Sequence, residues 1–434
     1  MRRCIPSLPS SVASACLLLL ASGCSTLLAV DQQKELAGAA AVLGGTVATA
    51  GYDARGPLVV GVVAKGADGF RLVDHFVAET PGPWVVTVQP GTYWIAAFED
   101  ANSNGRYDDE PAFRPEESQS ITVGAGQHAP DLKVEIPLDG RFHQTGFSLA
   151  DLQARGQAEQ QTHSLYALSV AGKVTTLADP RFARDVASSG IWRPYDFLLH
   201  VDPGIYFLEP YDPSRIPVLF VHGMGGTPID FRDLIARLDR TRYQAWIAYY
   251  PSGAGLDTIG RWLAQMFVRL RVEYRFEKAA VVAHSMGGIV SRAFLLDDFQ
   301  RTGTKVVRTH ITISSPLGGM PSAGKGVEDS PIVVKSWYGL APGNPFLDGL
   351  FYSDVPARRV RRRLPGHIAY HLLFGYGKGG PGGSGDGTVP LSSVLRPEAQ
   401  EEALSERGYD ETHVGILSSP AVAARVNELL GQMR

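Results

Sequence analysis

The apolar positions of the chain change rhythm near its middle. From about residue 215 onward, short β-rich apolar runs at 217–221, 245–250, 279–283 and 309–314 alternate with stretches of helical periodicity. Short apolar runs bounded by turn residues read as strands buried on both faces. Ile259, Trp262, Leu263, Met266, Phe267 and Leu270 recur at three- and four-residue intervals, which lays one apolar stripe along a helix, a core face. Residues 228–238, with Asp230 and Asp233 near the start, and 289–296 predict further helices. Strand and helix in alternation predict an α/β fold, a mostly parallel sheet with helices on both faces.

Residues 45–138 have a different texture. β-rich runs at 58–64, 70–77, 84–88, 92–98, 119–123 and 132–136 are separated by Gly and Pro turns, a spacing that predicts a small all-β sandwich domain. The stretch 139–214 carries Trp192, Tyr195, Phe197, Leu198, Tyr206 and Phe207, too apolar for a free linker, and is expected to connect the domains while packing on the second. That second domain spans 215–434. Within it, residues 317–366 have no place in a minimal sheet and read as a cap. Its Ile332, Val333, Val334, Trp337, Leu340 and Phe351 suit an apolar wall for a ligand, a small core, or both. Arg358, Arg359, Arg361, Arg362 and Arg363 near its end read as a solvated helix face, with phosphate binding as the sharper alternative.

Composition narrows the function. A hydrophobic content of 44% and a charged content of 20% over 434 residues allow two packed domains and exclude global disorder. A formal net charge of −3 lacks the basic excess that a nucleic-acid partner requires.

The candidate chemistry centres on Ala283-His284-Ser285-Met286-Gly287. A strand runs into a turn of small residues and a helix follows. That layout suits a nucleophile elbow, in which Ser occupies a sharp turn that tolerates only small flanks. An activated Ser needs a base, and the base needs an orienting carboxylate. Asp386 stands between two glycines after a predicted strand at 367–376, and His413 is the only His after it. The order Ser, Asp, His is that of the α/β-hydrolase fold. Residues 217–221 end in His222-Gly223-Met224-Gly225-Gly226, a loop type that supplies one oxyanion N–H, while Met286, next to the nucleophile, supplies the other. His284 is read as structural, since side chains adjacent on a tight turn diverge.

From about Arg215 on, the chain resembles the α/β-hydrolase lipases and esterases, especially the bacterial lipase and lecithin:cholesterol acyltransferase-like branches. The motifs that carry this are Val221-His222-Gly223-Met224-Gly225, Ala283-His284-Ser285-Met286-Gly287, Ser314-Ser315-Pro316-Leu317-Gly318-Gly319, Ala341-Pro342-Gly343-Asn344-Pro345 and Asp386-Gly387-Thr388-Val389-Pro390. The resemblance implies Ser285 as nucleophile, Asp386 as acid, His413 as base, and the N–H groups of Met224 and Met286 as oxyanion donors. The expected activity is hydrolysis of lipid or other hydrophobic esters without a cofactor. An acyltransferase on the same residues, or a surface-anchored binding protein with a degenerate hydrolase domain, are the alternatives.

Two features lie outside this resemblance. Arg2 and Arg3 followed by a short apolar run at 12–21, too short to span a bilayer, form a targeting segment. Leu20-Ala21-Ser22-Gly23-Cys24 resembles a bacterial lipoprotein signal, which implies cleavage after residue 23, a lipidated Cys24, and residues 24–44 as an anchor linker. Ser25 after that Cys implies the outer membrane, with plain secretion as the alternative. Cys4, Cys16 and Cys24 all fall in this segment, so the mature chain is expected to hold no internal disulfide, unlike many secreted bacterial lipases. In the β-rich part, residues 90–105 resemble transthyretin-like accessory domains. Asp100, Asn102 and Asn104 also match the first half of a calcium loop, but Pro111 stands where its bidentate Glu belongs, and a polar hairpin turn is the favoured reading.

Overall fold

The computed structural model describes residues 41–66, 69–78, 80–102, 107–114, 116–125, 127–142, 169–329, 334–355, 358–379 and 383–433. The targeting segment with Cys24, and Asn104, Ile332 and Val333, lie outside the described residues.

The N-terminal part is all β. Its strands are β1 (Ala41–Thr49), β2 (Leu58–Gly66), β3 (Gly69–Ala78), β4 (Gly82–Val88), β5 (Gly91–Glu99), β6 (Ala112–Phe113), β7 (Ile121–Val123) and β8 (His128–Ile136). One sheet has the order β4-β1-β8 and the other β3-β2-β5-β6, with β7 paired to β5. Val60, Val62, Ile95 and Ala97 of one sheet share a core with Leu43, Val47, Trp84, Val86 and Val134 of the other. Strand β1 begins at Ala41, inside the stretch expected to be linker. It escapes the apolar pattern because two glycines sit at its centre. Gly45 is required there, since a Cβ would lie 1.7 Å from the Leu132 carbonyl oxygen.

The second part is built on an eight-stranded sheet of order β18-β17-β14-β13-β11-β12-β10-β9. In chain order come β9 (Val170–Val174), α1 (Arg184–Trp192), α2 (Pro194–His200), β10 (Gly204–Phe207) and β11 (Ile216–Val221). There follow α3 (Arg232–Ala236), β12 (Tyr243–Tyr249), α4 (Leu256–Tyr274), β13 (Ala279–His284), α5 (Met286–Thr302) and β14 (Val307–Ile313). The cap holds α6 (Pro321–Asp329), α7 (Lys335–Leu340), α8 (Pro345–Gly349) and the hairpin β15 (Tyr352–Val355) and β16 (Arg358–Arg361). The chain closes with β17 (Ala369–Gly375), α9 (Leu391–Val394), α10 (Pro397–Glu402), β18 (Ser405–Tyr409) and α11 (Pro420–Gly431). Every neighbouring pair is parallel except β10 with β12.

Two of these strands, β9 and β10, come from the stretch 139–214 that the sequence reads as a connection. A boundary near residue 215 therefore cuts through the sheet. The helical stripe on α4 is core, with Ile259, Leu263, Met266, Phe267 and Leu270 all buried. Burial of each such side chain contributes about 1.5–3 kcal/mol. Val268 and Val272, on another face of α4, pack against Val59, Val77, Phe98 and Tyr107 of the β region. Arg275 adds a hydrogen bond from its guanidinium to the Asn102 carbonyl.

The arginine run starts as strand β16 and is not a helix face, and its side chains bind both the cap and α10. Arg359 grips both Asp348 carboxylate oxygens and lies over the Tyr352 ring at 4.0 Å. Arg361 donates to the Phe351 and Glu398 carbonyls at 2.9 and 3.0 Å, and Arg362 to the Gly349 carbonyl at 3.1 Å. No described helix is long and apolar enough to cross a membrane.

Candidate active site

Ser285 joins β13 to α5 with φ 54 and ψ −131. A residue with a Cβ held in that region costs about 1–3 kcal/mol, which the surrounding packing must offset. The Ser285 N–H donates to the Ile313 carbonyl at 2.9 Å, and the Gly288 N–H donates to the Ser285 carbonyl at 3.0 Å. The small residues around it are sterically required. A Cβ on Gly287 would fall 2.3 Å from the Val221 carbonyl oxygen, and one on Gly223 would fall 2.8 Å from the Ser285 Cβ.

Asp386 follows β17 and is buried, at 1% exposure. Burial alone would raise its pKa, but hydrogen bonds from His413, Val389 and Thr388 outweigh it and hold the carboxyl below its ordinary value. Its Oδ2 lies 2.7 Å from His413 Nδ1, and His413 Nε2 lies 3.0 Å from Ser285 Oγ. A carboxylate only accepts, so Nδ1 carries the proton and Nε2 is free to accept from the Ser285 hydroxyl. A second link, from His413 N–H to the Asp386 carbonyl at 2.9 Å, fixes the base in its loop.

The loop after β11 faces Ser285 through Gly223. Its shape is set by His222, whose ring donates from Nδ1 to the Gly223 carbonyl at 2.8 Å and stacks on Tyr250 at 4.1 Å. Tyr250 in turn donates its hydroxyl to the His222 carbonyl. Gly225 N–H is taken by Ser252 Oγ at 2.9 Å. Met224 follows Gly223 in this loop, and Met286 is the first residue of α5, where the leading N–H groups have no acceptor within the helix. A developing negative charge here would also meet the positive end of α5.

Sequence reasoning brought Ser285, Asp386 and His413 to one place, and the structure joins them by hydrogen bonds. It did not anticipate Tyr250 or Ser252, which carry no local motif and act only through long-range packing. Asp100 is buried, while Asn102 reaches Asp108 Oδ2 at 3.4 Å. Among the described residues, no group of three or more His, Cys, Asp or Glu side chains converges as a metal site would.

A family profile described as the alpha/beta hydrolase fold matches residues 216–350. No curated protein matches the chain. Among solved structures, a Bacillus licheniformis lipase in its mature form is similar at 20% identity and TM-score 0.41, over 52% of this chain and 97% of that one. Lipase B of Aspergillus fumigatus is similar at 16% identity and TM-score 0.39, over 55% and 57%. Naproxen esterase from Bacillus subtilis is similar at 17% identity and TM-score 0.31, over 52% and 86%. The profile and the parallel sheet agree: behind an all-β region, this chain carries an α/β-hydrolase fold.

Proposed function

We propose that the chain is a serine hydrolase of carboxylic esters. The observation that carries this reading is the continuous hydrogen-bonded line from Ser285 Oγ through His413 to Asp386, with the serine on a strained turn at the C-terminal end of a parallel strand. In the proposed reaction Ser285 Oγ attacks the ester carbonyl while His413 Nε2 takes its proton. Asp386 holds the ring and stabilises the imidazolium. The Met224 and Met286 N–H groups donate hydrogen bonds to the carbonyl oxygen as negative charge builds on it. His413 returns the proton to the leaving alkoxide, then draws a proton from water, which splits the acyl-enzyme.

A hydrophobic or lipid ester is the proposed substrate. Half-buried Trp337 and exposed Tyr338 of the cap, with exposed Val414 beside the base, support it. Attachment to a bacterial outer membrane through lipidated Cys24 is proposed on the lipoprotein-like signal alone. Palmitate labelling of wild type and its loss in Cys24→Ala test that anchor; an unlabelled wild type would remove it.

Ser285→Ala tests the chemistry. The expected loss in turnover of p-nitrophenyl esters is of order ~10⁶ if the three residues act as a unit. A purified Ser285→Ala protein with wild-type turnover would overturn the assignment.

A further inference from the structure

The crossover between β9 and β10 delivers the end of α1 to the candidate site. The Gly190 carbonyl accepts from Gly253 N–H at 2.9 Å. The Gly253 carbonyl accepts from Ser336 N–H at 3.3 Å, at the start of cap helix α7. Next to it, Ser252 Oγ holds Gly225 N–H. The short loop after β12 therefore ties three pieces together: the end of α1, the cap, and the loop that carries Met224.

Packing at this junction leaves little slack. A Cβ on Gly253 would fall 1.9 Å from the Ile191 carbonyl oxygen, and one on Gly190 would fall 2.8 Å from the Phe197 ring. Ile191 Cδ1 comes so near Gly225 that a Cβ there would lie 3.0 Å away. The Trp192 ring meets the Trp337 ring edge to face, with centroids 6.1 Å apart. The backbone here is locked, yet Ile191, Trp192, Trp337 and Met224 are all only half-buried. Ligand sites are lined by apolar side chains beside a few polar groups, and this apolar arrangement lies along the loop that reaches Ser285 through Gly223.

Resting on the reading of Ser285 as nucleophile, we propose that Ile191 and Trp192, with Trp337 packed edge to face on Trp192, form one wall that receives the apolar part of the ester. They would set how strongly the enzyme favours long substrates over short ones. This assigns a specificity role to a segment that precedes the residues matched by the hydrolase-fold profile, residues 216–350. The occupant is the hydrocarbon portion of the ester, because the wall begins one residue from Met224, the proposed oxyanion donor.

The test is the ratio of kcat/KM for long against short substrates, measured after active-site titration in two series. One varies the acid of p-nitrophenyl esters, and the other varies the alcohol of butyrate esters. Trp192→Ala is expected to lower the ratio about tenfold in at least one series, the scale expected when apolar pocket contacts are lost. Ile191→Ala should lower it less, and Trp192→Phe should retain most of it. Should Trp192→Ala fold poorly, Trp337→Ala reads the same wall. Wild-type ratios in both series for Trp192→Ala and Ile191→Ala, or for Trp337→Ala in place of the former, would overturn the proposal and leave the serine hydrolase reading standing. A wild-type protein that hydrolyses no ester would instead strike the underlying reading.

Discussion

His284 donates from Nε2 to the backbone carbonyl of His413 at 2.8 Å, so the residue before the proposed nucleophile holds the loop of the proposed base. The two rings lie 4.7 Å apart. Burial, and then the neighbouring His413, push the His284 pKa down to about 3, so its ring stays neutral and the bond has one direction. His284 thus positions the base and does not exchange protons. His284→Ala should lower kcat by roughly 10- to 100-fold through misplacement of His413, with little change in KM. His284→Gln keeps an N–H donor and should recover part of the loss. Wild-type kcat in a folded His284→Ala protein would remove the positioning role.

Gly223 and Gly287 separate function from folding. A Cβ on Gly223 would press on Ser285 Cβ at 2.8 Å, on its Oγ at 3.2 Å and on the His284 carbonyl oxygen at 3.3 Å, so the serine must be displaced. Gly223→Ala should fold and lose about 10²-fold in kcat, as expected for a displaced nucleophile. A Cβ on Gly287 would meet the backbone oxygens of Val221 and His222 at 2.3 and 2.5 Å, and neither can move without breaking β11. Gly287→Ala should therefore give insoluble or unfolded protein. Circular dichroism beside esterase assays distinguishes the two, and equal behaviour of both variants would contradict the steric argument.

Much of this arrangement was legible from residue order, and the reasons are physical. Strands β11, β12 and β13 are buried on both faces, so they appear as apolar runs with no polar alternation to confuse them. Strand β9 is a sheet edge of five residues, Val-Ala-Gly-Lys-Val, and β10 has only four, so neither leaves a signal above a packed loop. The run of arginines suggests a helix face because spacing alone cannot distinguish a solvated helix from a hairpin whose arginines bind the cap and α10. Ser285, Asp386 and His413 were readable because each sits in a recognisable turn and the chain order is constrained. The acceptors and donors that shape the loops around them, such as Ser252 and Tyr250, depend on contacts between distant segments.

Arg292 is buried on α5 and fastens the cap. Its guanidinium reaches Glu402 at 2.9 Å, the Leu350 carbonyl at 3.0 Å and the Arg362 carbonyl at 3.2 Å, and lies 4.0 Å over the Phe351 ring. Without Arg292, Glu402 keeps only Arg361 at 3.4 Å and the Leu364 N–H at 3.2 Å, and loss of one member of a buried ion pair costs about 3–5 kcal/mol. Arg292→Met should destabilise by that order in urea melts, whereas Arg292→Met with Glu402→Leu should cost less. A double variant as unstable as the sum of the two single ones would show that the pair is not coupled.

Acid should destabilise the fold before the carboxylates titrate. Burial, the largest cause at each site, lowers the pKa of His222 and His371 to about 4 and of His284 and His310 to about 3, against an ordinary value of 6.5. Above pH 6.5 these rings are neutral in both the folded and unfolded chain, and their contribution to stability is fully present. Below it the unfolded chain takes up protons that the folded chain cannot, so stability falls as pH drops toward the folded values. Well below 6.5 each such histidine contributes about 1.4 kcal/mol per pH unit to that slope. The midpoint of urea unfolding should therefore drop from about pH 7 to about pH 5, with the slope m little changed. His310, which pairs with Ser291 through Nε2 at 2.8 Å and stacks on Tyr370, offers the cleanest single test because these contacts involve none of Ser285, Asp386 and His413. His310→Asn should lower stability at neutral pH yet flatten the acid limb by one histidine's share. An acid limb as steep as in wild type would mean that His310 titrates alike in the folded and unfolded chain.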